Sequence, residues 1–349
     1  VAGPHRSDPS WPPVDDGAGL LIGRFDNDMA LLNRRLLTVC AAILIAGLTA
    51  CTPETPTETR TARIEVVPEV LTQPKFTVTR FHYLSDARAS GKYPDQNWAD
   101  LYLPGGTHAF NSIPLVVLIH GGGWQSTMGA GVFDGLAREL TSRGMAVYNI
   151  EYRRVGSGGG WPSTFTDVAH AMDYVAQVNL LYPQLAIDDA LVVGHSAGAQ
   201  LAVWASTRHD LQGDEVGSRP IFRPTRVISL AGPLDMVYAA NRGDKHIAEV
   251  LGGSPAEVPK RYASVDPIQN LDPRVPVIAV HGTRDTVVAP ANSQRYVAAL
   301  KKLGGRAGLE LLPGENHTSI VSTRSPGFRK VLRLITTTSK AQLDQLPVK

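Results

Sequence analysis

From Lys75 onward the apolar residues follow two alternating rhythms. Short runs at 115–119 (LVVLI), 145–150 (MAVYNI), 190–193 (ALVV), 227–230 (VISL) and 277–280 (VIAV) are apolar almost without a break. That is the pattern of strands covered on both faces. Segments with a helical spacing of apolar positions lie between and after them, at 131–144, 165–181, 291–304 and 320–335, the first closing on Gly144 as a cap. The opening stretches, 75–84 (KFTVTRFHYL) and 97–104 (NWADLYLP), are β-prone and alternate, which allows antiparallel pairing, and 308–314 (GLELLPG) supplies a last strand. Strand and helix alternate throughout. The expected architecture is α/β: a mostly parallel eight-stranded sheet with helices on both faces.

The spacing also limits what surrounds the sheet. About 45 residues separate Lys75 from the glycine run at 121–123, and the opening strands use them up. The stretch between Asp235 and Asp272 is long enough for short helices at the mouth of a cleft. No large cap domain is expected.

Upstream the pattern changes character. Residues 29–50 place Arg34 and Arg35 ahead of an uncharged apolar run, 36–50, that ends in small residues. A run of this length is short of the roughly 20 residues a spanning helix needs and suits a secretory signal. Its end, Leu48-Thr49-Ala50-Cys51, resembles a bacterial lipobox, in which the cysteine is acylated and becomes the first mature residue. That resemblance implies lipidation at Cys51, an anchor in a lipid bilayer, and an exported, extracytoplasmic protein. Residues 1–28, polar and rich in Pro and Gly, are read as a start-site extension ahead of a true start at Met29. Residues 51–74, rich in Thr, Pro and Glu, are read as a tether reaching roughly 80 Å when extended. The folded domain is then 75–340, with a short tail at 341–349.

Composition narrows the function classes. There are 34 basic and 32 acidic residues, a net charge of +2, and no long Lys/Arg block, so a nucleic-acid partner has little support. The two cysteines are Cys40 and Cys51, so nothing downstream can form an intrachain disulfide, and the domain is held by its core.

Candidate chemistry lies at the carboxyl ends of the expected strands, where open α/β sheets carry their sites. Ser196 sits in Gly194-His195-Ser196-Ala197-Gly198, where a buried strand meets a small-residue helix. Side chains on either side of so tight a turn would collide with neighbouring backbone, and glycines remove them. The serine hydroxyl is thereby pushed outward, and the Ala197 N–H is left at a helix start. Taken alone, such a turn is also compatible with plain packing. His120-Gly121-Gly122-Gly123-Trp124 follows another buried strand, and the N–H groups of Gly122 or Gly123, with Ala197, suit an oxyanion hole. Asp285 follows a strand by a short loop, and His317 follows the last strand. The order Ser196, Asp285, His317 matches a hydrolase triad. Asp235, which also follows a strand, is the reserve candidate for the acid.

These pieces, DLYLP (100–104), HGGGW, EYRR (151–154), GHSAG, HGTRDTVV (281–288) and GENH (314–317), occur in the order and spacing of α/β-hydrolase-fold esterases. The chain resembles the carboxylesterase branch that includes feruloyl and acetyl xylan esterases and kynurenine formamidase-like enzymes. HGGGW with GHSAG is also similar to the hormone-sensitive-lipase-like group. There are two departures. Ala199 stands where a further glycine is usual, and a Gly-rich run at 156–160 replaces a more usual proline-containing loop.

The resemblance implies that His317 takes the proton of Ser196 as it attacks an acyl carbonyl, that Asp285 orients His317, and that water then hydrolyses the acyl-enzyme. No metal or organic cofactor is called for. A small ester is the expected partner, short-chain or soluble because no lid is expected. Trp124, His195 and Trp161 are candidate pocket residues, His195 with a packing role as its simpler reading. His120 and His281 are read as hydrogen-bonded structural residues, and Arg153 with Asp167 as a buried ion pair. An arylformamidase, amidase or peptidase of the same fold remains open, as does an inactive hydrolase-fold binding protein at the cell surface.

Overall fold

In the computed structural model, which describes residues 75–84, 96–346 and 348, the expected strands pair into one sheet. They are β1 (Phe76–His82), β2 (Trp98–Pro104), β3 (Ile113–Ile119), β4 (Ala146–Ile150), β5 (Leu185–His195), β6 (Arg226–Leu230), β7 (Val277–Gly282) and β8 (Ala307–Leu312). The order across the sheet is β1-β2-β4-β3-β5-β6-β7-β8. β1 pairs antiparallel with β2, and β2 antiparallel with β4. Every other pairing is parallel. Residues 1–74, with the signal segment, Cys51 and the tether, lie outside the described residues.

Strand side chains alternate between faces, and the two cores follow that alternation. Leu115, Val117 and Ile119 of β3 join the core on one face. There they meet Phe165 and Val168 of α2 (Ser163–Asp173), Val178 of α3 (Val175–Leu181), Leu201 and Trp204 of α4 (Ala197–Thr207), and Tyr296 and Leu300 of α8 (Ala291–Lys302). Val116 and Leu118 join the other core. Its helices are α1 (Asp134–Thr141), through Leu136 and Leu140, and α9 (Pro326–Lys340), through Phe328, Val331 and Ile335.

α4 is buried along its whole length, which is why its sequence, AGAQLAVWAST, carries no charged face. Two of its polar side chains find backbone partners on α7 (Pro259–Val265). Gln200 Nε2 donates to the Val265 carbonyl at 2.8 Å, and Trp204 Nε1 donates to the Ser264 carbonyl at 3.1 Å. Between β6 and β7 the chain forms α5 (Met236–Asn241), α6 (Lys245–Leu251) and α7, short helices without a large cap.

Two helices differ from expectation. The segment expected as one helix at 165–181 divides into α2 and α3 at Tyr174. The final helix was expected at 320–335 but runs from Pro326 to Lys340. Pro326 fits only the first turn, where its missing N–H is not needed, and the Ser325 side chain accepts from the Phe328 N–H. Ile320 and Val321 instead make a separate single turn at Ser319–Val321.

Candidate active site

The turn at Ser196 connects β5 directly to α4. Ser196 has φ 56° and ψ −124°, a left-handed backbone that a non-glycine residue adopts at a penalty of about 1–3 kcal/mol. The glycines around it have the steric reason expected of them. A methyl group on Gly194 would run into the Gly198 carbonyl, and one on Gly198 would run into the carbonyls of Ile119 and His120. The elbow is therefore wedged against the end of β3. Ala199 is accommodated because the residue facing its methyl group is Gly232, where a Cβ would lie only 2.7 Å from it.

Three strand ends bring Ser196, His317 and Asp285 together. His317 Nδ1 lies 2.8 Å from Asp285 Oδ2, and His317 Nε2 lies 2.8 Å from Ser196 Oγ. A carboxylate oxygen only accepts, so Nδ1 carries the proton, and in the neutral ring Nε2 is left to accept from the serine hydroxyl. Ser196 is 7% exposed and His317 8%.

Asp285 is held on both oxygens. Oδ1 accepts from the N–H groups of Val287 and Val288, each at 2.9 Å. Oδ2 also faces His281 Nε2 at 3.2 Å, and that ring is fixed by the Val288 carbonyl and the Ser293 hydroxyl. Burial works against the charged carboxylate, but the hydrogen bonds from His281 and His317 outweigh it and hold the group well below the usual carboxylate range. Asp235, the reserve acid, is engaged elsewhere: Oδ1 caps α5 at the Tyr238 N–H, and Oδ2 pairs with Arg295 at 2.6 Å.

The loop after β3 lies directly over the serine. A Cβ on Gly121 would sit 2.7 Å from the His195 carbonyl and 2.9 Å from the Ser196 Cβ, so the loop backbone closes onto the elbow. Gly122 and Gly123 both have positive φ. The Ala197 N–H opens α4 and is one of the donors a helix leaves without an internal acceptor. Of the three glycines it is Gly121 that abuts Ser196, while Gly122 borders Met128 and Gly123 borders His246.

Sequence reasoning did not find what holds this loop. Glu151, at the end of β4, reaches His120 Nε2 at 3.1 Å with Oε1 and accepts from the Ala130 N–H with Oε2 at 2.9 Å. His120 stacks on Tyr152 with ring centres 4.4 Å apart, and the Tyr152 hydroxyl donates to the His120 carbonyl at 2.8 Å. Burial raises the Glu151 carboxyl, but the bond from His120, the charges of His120 and Arg154, and the Ala130 N–H together bring it below its ordinary value. The signal was present, since EYRR and HGGGW end neighbouring strands, but only their pairing makes the contact visible. The Arg153–Asp167 ion pair forms as expected, at 2.7 Å.

The three proposed pocket residues separate. Trp124 is 1% exposed and packs into the core, so it presents no ring to a ligand. Trp161 packs on Phe165 and lines a shallow depression with Val216, Lys260 and Ser264, apart from the serine. His195 lies beside the triad but is turned toward protein: its Nε2 donates to the His317 carbonyl at 2.8 Å. Burial, with the neighbouring His317, lowers its pKa to about 4. The wall facing the glycine loop comes from α6 instead. A Cβ on Gly123 would lie 3.2 Å from the His246 ring, and Glu249 Oε2 accepts from Gln125 Nε2 at 2.9 Å. Among the described residues no cluster of three His, Cys, Asp or Glu side chains has the arrangement of a metal site.

A family model described as BD-FAE matches residues 99–300. An isoprenylcysteine alpha-carbonyl methylesterase of Arabidopsis thaliana is 26% identical over 272 residues, covering 72% of this chain and 61% of that protein. The chain therefore spans about three-fifths of that relative's length. Among solved structures, a bifunctional GH43-CE protein of Bacteroides eggerthii superposes with a TM-score of 0.61 at 25% identity, over 75% of this chain and 38% of the other. A thermophilic esterase of Thermogutta terrifontis, with propionate bound, superposes with a TM-score of 0.59 at 22% identity, over 75% and 92%. At that identity the likeness shows a shared fold.

Proposed function

Since this chain belongs to the BD-FAE family, we propose that it is a serine hydrolase of carboxylic esters that acts on short-chain or small soluble acyl groups. The observation that carries this reading is the continuous hydrogen-bonded line from Asp285 through His317 to Ser196, with Ser196 strained outward at the head of α4. Ser196 is the nucleophile, His317 the general base and then the general acid, and Asp285 the group that fixes the His317 tautomer and stabilises its imidazolium. The N–H groups of Gly122, Gly123 and Ala197 receive the negative charge that develops on the carbonyl oxygen. Release of the alcohol leaves an acyl group on Ser196, which water removes by the same base. The methylesterase and esterase names of the relatives agree with this chemistry.

Hydrolysis of p-nitrophenyl acetate and butyrate, with Ser196→Ala beside the wild type, is the test. Activity lost in the variant supports the assignment. Equal background rates from both proteins reject it for simple esters.

Independently of the esterase reading, the lipobox-like Leu48-Thr49-Ala50-Cys51 leads us to propose that the protein is exported and held to a membrane by acyl chains on Cys51. More than one chain would give stable anchoring. Labelled palmitate should enter the wild type and not Cys51→Ser, and the variant should leave the membrane fraction.

A further inference from the structure

A cavity of about 610 Å³ lies between the Asp285 loop and the start of α6. One wall is the start of α6 with the turn before it, including Arg242, Lys245 and His246, and the opposite wall is the segment from Asp285 to Asn292. The His246 ring packs against Gly123, so the cavity opens beside the backbone proposed to receive the oxyanion. Its size is that of a small-molecule site.

The charged side chains lining it are unevenly hydrogen-bonded. Each acid has a protein partner. Asp285 is held by two histidines and two N–H groups, Asp244 accepts from the His246 N–H at 3.1 Å, and Glu249 accepts from Gln125 and faces His246 Nδ1 at 3.3 Å. The cations are different. Among the described residues, Arg242 and Lys245 have no carboxylate partner. The Arg242 guanidinium lies 5.5 Å from the centre of the Tyr238 ring, whose face also meets Arg295 at 4.8 Å. Arg295 is neutralised by Asp235. Arg242 is thus steadied by an aromatic ring while its charge stays unmatched.

We infer that this cavity receives a carboxylate carried by the ester substrate, bound by Arg242 and Lys245. A monoanion fits better than a dianionic phosphate, because Asp244 and Glu249 border the same space and repel a second negative charge. The inference rests on the esterase reading and names the substrate class of that site.

Matched esters test it, one pair for each side of the scissile bond. Mono-4-nitrophenyl adipate is compared with 4-nitrophenyl adipamate, and 4-acetoxybenzoate with 4-acetoxybenzamide. In one of the pairs kcat/KM should favour the anionic member by about fivefold, the size expected of two solvent-facing charge pairs. The ratio should fall to about one in Arg242→Gln/Lys245→Gln, and shrink in about 0.5 M salt. Equal rates within both pairs, or a preference that survives the double substitution, overturn the inference and leave the esterase reading standing. If none of the four esters is hydrolysed, the esterase reading fails and this inference fails with it.

Discussion

His195 Nε2 lies 2.8 Å from the main-chain oxygen of His317. The residue beside Ser196 therefore ties down the loop that carries the proposed base. Removing the donor, as in His195→Ala, should lower kcat/KM for p-nitrophenyl acetate by up to about tenfold, the equivalent of one neutral hydrogen bond. His195→Gln, which keeps an N–H donor, should recover part of the loss.

His195 also makes stability depend on pH. Its pKa in the folded protein is lowered to about 4 by burial, from 6.5 when unfolded. Between those values the unfolded chain binds a proton that the folded chain refuses. Its contribution is therefore fully present above about pH 6.5, and about 3 kcal/mol is lost as the pH falls toward 4. Tm measured from pH 7 to 4 should drop less steeply for His195→Phe than for the wild type. Parallel curves would show that the ring titrates freely.

The two candidate acids separate by substitution. Asp285→Asn should reduce kcat by about 10⁴, because an amide can present an N–H to His317 and favours the wrong tautomer. Asp235→Asn breaks the pair with Arg295 and should leave kcat within about threefold. Rates with p-nitrophenyl butyrate decide between them.

Ser196 pays for its position in backbone strain. Ser196→Gly should abolish hydrolysis yet raise stability by about 1 kcal/mol, read as a higher urea midpoint at unchanged slope, because glycine adopts φ 56° without penalty. Ser196→Ala should lose activity without that gain.

Glu151→Gln should act on the glycine loop from behind. It removes a buried charge facing His120 and Arg154 and weakens the hold on the Ala130 N–H. The expected outcome is a loss of about 3 kcal/mol in urea unfolding, with kcat reduced more than KM is raised. A variant with wild-type kcat would show that the loop keeps its geometry without this carboxylate.

Much of this architecture was legible in the chain, for identifiable reasons. Strands such as Leu115–Ile119 are apolar on both faces, and no helix of ordinary exposure has that pattern. Ser196 and Asp285 follow such strands, and His317 follows the half-exposed β8, each at the end where parallel strands deliver their loops, so their meeting follows from topology. What stayed hidden depends on side-chain direction within loops. Trp124 looked like a pocket wall because it follows three glycines, but the turn points its ring into the core. The role of Glu151 stayed hidden because its partner His120 is 31 positions away and meets it only once β3 and β4 pair. His246 sits on the short helix α6, whose placement over Gly123 no periodicity encodes.

The parallel run from β4 through β3 to β8 divides labour between the two ends of the sheet. The connections that leave the strands at their carboxyl ends hold the glycine loop, the serine, the acid and the base. Three of those that enter, at 142–145, 211–225 and 304–306, share no hydrogen bond with that group among the described residues. Mutational drift at the entering end is thereby insulated from the chemistry, and the entering turns are the natural place for a lineage to gain insertions without changing what the molecule does.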